Sequence, residues 1–117
     1  MTSTQRNVEV EHINDVAVVR LHSKVFDSTN FAEISRTLFN LVDKQGCEKI
    51  VMNLGEVEYF FSESVGLLVS LNKRLQGNNV VFRVTNLRDN AIEVLSVAHL
   101  LELFDLYDDE QSAMADL

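Results

Sequence analysis

Proline is missing from this 117-residue chain, cysteine occurs once, at Cys47, and the four glycines stand far apart at Gly46, Gly55, Gly66 and Gly77. A single thiol excludes an intrachain disulfide and any thiolate metal cluster built within one chain, and it suits a reducing cytosol. Scattered glycines exclude the P-loop and the dinucleotide-binding turn, which crowd glycines so that the backbone can approach phosphate. Basic residues are also few, ten against eighteen acids, and the net charge of −8 repels phosphate backbones and anionic lipid surfaces. Direct nucleic-acid binding is therefore not expected. No apolar run approaches the roughly 20 residues that span a bilayer, and the first seven residues lack the apolar core of a signal peptide. Membrane insertion and export are not expected, and a cytoplasmic location is.

What is present is an ordinary globular composition, 46% hydrophobic and 24% charged, without repeats or low-complexity tracts. The length suits one domain spanning residues 1–117, with residues 1–6 as a flexible N-terminal end. Val8, Val10 and His12 alternate with Glu9 and Glu11, the period of a strand with one wet face. Asn14-Asp15 supplies turn chemistry before residues 16–21, a nearly continuous apolar run suited to a buried antiparallel partner.

Residues 27–30 are all good helix-capping types, and Phe31, Ile34, Leu38, Leu41 and Val42 follow at helical spacing until Gly46. Residues 49–54 read as a buried strand, parallel to the one before by the right-handed crossover rule. Val65, Leu67, Leu68, Leu71 and Leu75 form a second helical stripe, with Ser62 at its N-cap and its end at Gly77. A strand over residues 80–84, a third helix on Ile92, Leu95 and Ala98 that starts at Asp89 or Asn90, a short strand over 104–107 and a closing helix after Asp108-Asp109-Glu110 complete the order. The pattern predicts an α/β domain with one open, mixed, mostly parallel sheet of four to five strands and about four helices.

His12, His22 and His99 fall in different elements, without ligand spacing, so no metal is expected. A strand, Ser62 and a helix have the order of a nucleophile elbow, but that turn needs glycine two residues either side, and Phe60 and Ser64 stand there. No catalytic residue is assigned. Ser62 remains informative because a hydroxyl at a helix start faces unpaired backbone N–H groups and the positive end of the dipole, where a phosphate is tolerated. The same position also serves a plain helix cap. At least one of Phe60 and Phe61 is expected in the core, and an aromatic left exposed beside the serine would anchor a partner.

With the elements in this order, the chain resembles, over nearly its whole length, the STAS family of anti-sigma factor antagonists. Asn53-Leu54 is similar to the family's Asp-Leu pair at the end of the third strand. Phe61-Ser62-Glu63-Ser64-Val65-Gly66 is similar to its Asp-Ser-Ser-Gly-Leu-Gly stretch opening the second helix. Ser62 falls on the family's phosphorylatable serine, Gly66 on its second glycine, and Asp27 resembles the acid after the second strand.

The resemblance implies a STAS-like (SpoIIaa-like) single domain that acts by binding and not by catalysis, without cofactor. Its implied partner is an anti-sigma factor, a serine kinase-like protein, so that transcription is regulated indirectly. Ser62 is the phosphoacceptor candidate, with Ser64 second, and Asp27, Phe60, Phe61, Ser62, Glu63 and Ser64 form the contact patch. Phe61 replaces the family's acid, and phenylalanine can neither orient a hydroxyl nor receive its proton. Glu63 replaces the second serine, and its charge about 5 Å from a phosphate on Ser62 would repel it by roughly 3 kcal/mol. The alternative is a non-switching scaffold or transporter-associated subunit on the same fold.

Overall fold

The computed structural model describes residues 2–5 and 7–117, with side chains from Asn7 onward. Its strands are β1 (Thr2–Gln5), β2 (Val8–Ile13), β3 (Val16–Leu21), β4 (Lys49–Asn53), β5 (Val81–Thr85) and β6 (Asp105–Tyr107). The helices are α1 (Ser28–Asp43), α2 (Ser62–Gly77), α3 (Asp89–Val97) and α4 (Glu110–Met114), with a 3-10 turn at Leu101–Leu103. All six strands join one sheet in sequence order, antiparallel from β1 to β3 and parallel from β3 to β6.

The α/β class, the mixed sheet and the four helices agree with the sequence reading, whereas the strand count exceeds the expected four to five. The sixth strand is β1, which pairs Thr2 to Gln5 with Glu11 to Val8. The expected flexible end over 1–6 thus contains a paired strand, while residues 1 and 6 lie outside the described residues.

Alternation along the strands builds two unlike faces. Val8, Val10, Ala17, Val19, Leu21, Ile50, Met52, Phe82 and Val84 point to one side, where α1, α2 and α3 cover them. From those helices Ile34, Leu38, Leu41, Leu68, Leu71, Leu75 and Leu95 close the core, each at most 2% exposed. Burying a side chain of this size contributes about 1.5–3 kcal/mol, so this layer dominates the stability. Strands β3 to β6 follow one another across the sheet in parallel, and crossovers of one hand in such an order place all three long helices on the same side.

The opposite face is covered more sparingly, by α4 over Val16, Val18 and Val51. Around that patch the face is ionic. The Arg20 guanidinium forks onto Glu110 of α4 with two bonds of 2.8 Å and reaches Glu9 and Glu11 at 2.8 and 2.7 Å. Arg83 of β5 donates to the Ala113 carbonyl at 2.9 Å and pairs with Asp105 and Asp116. Bidentate, half-buried arginine pairs fix geometry better than exposed ones. The Arg20 bonds hold the Glu110 carboxyl below the usual glutamate range.

Asn53 extends this network toward the end of β4. Its amide nitrogen donates to Glu110 at 2.7 Å, while its oxygen accepts from the Gly55 N–H at 2.8 Å. Only an amide can do both, since a carboxylate has no donor for Glu110. Asn53→Asp is expected to lower the unfolding free energy at pH 7 by about 1–3 kcal/mol. Urea curves at pH 7 and pH 4 check this: the deficit narrows at the lower pH, where facing carboxylates take up protons, and unchanged midpoints at pH 7 would contradict it.

Candidate functional site

The parallel strands end at one edge of the sheet, where three loops meet: residues 22–27 before α1, 54–61 before α2 and 86–88 before α3. Loops leaving the carboxyl ends of parallel strands are the usual place for function in such sheets. Here they are joined by hydrogen bonds. The N–H groups of Glu58 and Tyr59 both donate to the Lys24 carbonyl at 2.9 Å, and Val25 and Tyr59 form a parallel bridge. From the third loop and α3, Arg88 Nε donates to the Gly55 carbonyl and Asn90 Nδ2 to that of Glu58, both at 2.8 Å. A side chain at Gly55 would be tight, since a Cβ there would lie 3.0 Å from the Asn53 side-chain oxygen and 3.1 Å from Asn86 Cβ.

Ser64 completes the junction. Its hydroxyl donates to the Phe26 carbonyl at 2.6 Å and accepts from the Phe61 N–H at 3.0 Å, entirely buried. One side chain therefore caps α2 and ties it to the loop entering α1. On the α1 side, Asp27 is the N-cap, accepting from the Thr29 N–H at 2.9 Å, and Asn30 Oδ1 reaches back to the Asp27 N–H at 3.2 Å. Glu63 bridges the two helix starts by accepting from the Ser28 N–H. A carboxylate on the first amides of a helix is favourable because those amides lack intrahelical partners.

These contacts redistribute the residues singled out from the sequence. Ser62 is not the N-cap: Phe61 holds that position in extended backbone (φ −119°, ψ −178°), and Ser62 is the first helical residue. The cap hydroxyl comes from Ser64 instead, three residues in, which leaves Ser62 exposed and without a hydrogen-bond partner among the described residues. Ser64 does not belong to an open patch, and its occupied, buried hydroxyl is unsuited to phosphorylation. Phe60 does not belong to it either; at 2% exposure it is part of the core beneath the loops. Asp27, half-buried, and Glu63, exposed, stand at the two helix starts.

Phe61 is 59% exposed, as a partner-facing aromatic requires. The sequence reading missed its companion: Tyr59, 49% exposed, stacks on it with centroids 6.4 Å apart and ring planes 14° from parallel. The signal was the alternation of an extended segment, in which Tyr59 and Phe61 share one side and Phe60 the other. The third helix starts at Asp89, as expected; Arg88 occupies the N-cap position before it and uses its side chain on Gly55. Charge on this edge is mostly negative. Glu56, Glu58 and Glu63 carry it on the second loop and helix start, and Lys24 reaches Glu58 only at 4.0 Å. This edge therefore offers two stacked rings, a free hydroxyl and a carboxylate border.

Ser64→Ala removes a buried donor and a cap acceptor together. Its expected cost is about 2–3 kcal/mol in urea unfolding, while Ser62→Ala stays within about 0.5 kcal/mol of the parent. Equal midpoints for the two variants would contradict these assignments.

Comparison with known proteins agrees with this architecture. The family described as STAS domain matches residues 7–113. The chain is similar to the anti-sigma F factor antagonist of Paenibacillus polymyxa, 22% identical over 110 residues, 94% of this chain and 93% of that protein. A solved STAS domain protein from Planctomyces limnophilus superposes with a TM-score of 0.75 at 28% identity, covering 92% of this chain and 95% of that one. The Bacillus cell fate determinant SpoIIAA in its phosphorylated form shares the fold, with a TM-score of 0.70 at 17% identity over 92% and 96% of the two chains. Matched over almost its full length and folded in the same way, the chain belongs to the STAS domain family.

Proposed function

We propose that this protein is a binding module that captures an anti-sigma factor of the serine kinase-like kind and so frees a sigma factor for transcription. The docking face is the edge built by Tyr59, Phe61, Ser62, Glu63 and Asp27. The observation that carries this reading is the stacked, half-exposed Tyr59–Phe61 pair directly before the unpartnered Ser62 hydroxyl. Exposed aromatics clustered on a rigid support are the usual anchors of protein interfaces. The similarity to a protein named anti-sigma F factor antagonist supports the kind of partner.

Ser62 is the switch in this reading. A phosphate there adds nearly two negative charges to an edge that already carries Glu58 and Glu63, and a loss of about 3–4 kcal/mol weakens binding several-hundred-fold. A second reading keeps the docking face but removes the switch, as in a scaffold or transporter-associated subunit. Glu63 favours it: its carboxylate already sits on the Ser28 amide, so negative charge is fixed beside the serine, and Phe61 provides no base for phosphoryl transfer.

Co-purification from the native cell, with mass analysis of Ser62, identifies the partner and any phosphate together. With that partner in hand, calorimetry is expected to give near-parental affinity for Ser62→Ala. Ser62→Asp is expected to lose at least tenfold, and Phe61→Ala between about ten- and a hundredfold. Equal affinity of the Ala and Asp variants would leave the non-switching reading. Unchanged affinity on Phe61→Ala would remove the docking face itself.

A further inference from the structure

His22 follows β3 directly, on the ionic side of the sheet, and belongs to neither the docking face nor the core. Its Nε2 lies 2.7 Å from Glu9 Oε1 on β2, and its Nδ1 lies 2.5 Å from Glu56 Oε2 in the loop that leads to Ser62. A neutral imidazole carries one N–H and would turn a lone pair toward one of those carboxylates, whereas the imidazolium donates to both. The geometry therefore belongs to the charged ring.

The surrounding groups act in the same direction. From β2, Glu9 binds the ring with one oxygen and Arg20 with the other, at 2.8 Å. Arg20 of β3 is itself shared with Glu11 of β2 and Glu110 of α4, so its charge is already matched by three carboxylates. From the loop, Glu56 faces the ring, and the neighbouring Lys24 and Glu58 face each other. The His22 N–H is held by the Asn7 carbonyl at 2.6 Å, which fixes the backbone beneath the ring. Hydrogen bonds to Glu9 and then Glu56 raise the imidazole above its ordinary value, against the opposing effect of burial.

We infer that His22 is a pH-sensitive clamp: as the imidazolium it ties the Glu56 side chain of the loop before α2 to Glu9 on the sheet, and on losing its proton it releases that side chain. Because the partners raise the folded-state value, the clamp is fully formed below about pH 6.5, the free-histidine value, and is lost as pH rises through the folded-state value. Release is local. Gly55 stays held by Asn53 and Arg88, Val57 stays in the core, and the rest of the loop stays held by the Lys24 carbonyl, Asn90 and the Ser64 junction, so deprotonation frees the Glu56 side chain and leaves α2 capped.

The test is an NMR titration of the free protein, which needs no partner and so stands or falls separately from the proposed function. The His22 ring is expected to titrate above pH 6.5, and the Glu56 and Val57 amides are expected to move with the same midpoint. Glu56→Gln, an isosteric change at an exposed position, lowers the His22 midpoint and abolishes the coupled movement. His22→Gln abolishes it as well. A His22 midpoint at or below 6.5, loop amides that ignore it, or a loop response that survives His22→Gln would each overturn the clamp.

Discussion

The bond from the buried Ser64 hydroxyl to the Phe26 carbonyl joins the first turn of α2 to the loop that leaves β3 and enters α1. Both of its ends are removed from water, so it exchanges an unsatisfied carbonyl and an unsatisfied cap amide for a closed pair, an arrangement costly to break. Everything displayed at that edge follows from it. Because Ser64 reaches back to cap α2, Ser62 is relieved of that task and remains open. Because the chain enters the helix extended, Phe60 turns inward as Tyr59 and Phe61 turn outward.

Two faces of one sheet then divide the labour. The helix-covered face supplies the apolar burial, and the other carries a network in which Arg20 gathers Glu9, Glu11 and Glu110. That network contributes modest net stability once desolvation is counted, but it fixes α4 over the sheet. Through Asn53 and His22 it also reaches Gly55 and Glu56, the two central residues of the turn that opens the loop before α2. The edge proposed for docking is thus supported from beneath by charge and from behind by packing.

Periodicity made most of this fold legible in the sequence. The stripes over 31–42 and 65–75, the alternation at 8–12 and the turn at Asn14-Asp15, where Asn14 does take a positive φ of 56°, each state a local preference that the tertiary structure keeps. Strand β1 was not legible, because Thr-Ser-Thr-Gln has no apolar alternation and is made a strand by its partner β2. The approach of Arg20 to Glu110, ninety positions apart, is likewise invisible to local pattern. At the site, residue types were readable but their division between core and surface was not. Phe60 and Phe61 are chemically identical, as are Ser62 and Ser64, and only the direction of the chain entering α2 separates an anchor from a core ring and a free hydroxyl from a structural one.

Amide hydrogen exchange of this chain with and without its captured partner tests most directly where that partner docks. Slowed exchange is expected across residues 56–63 and the first turn of α1, with α4 unaffected. A footprint confined to α4 and the strands beneath it, with the edge around Phe61 exchanging as in the free protein, would contradict the account.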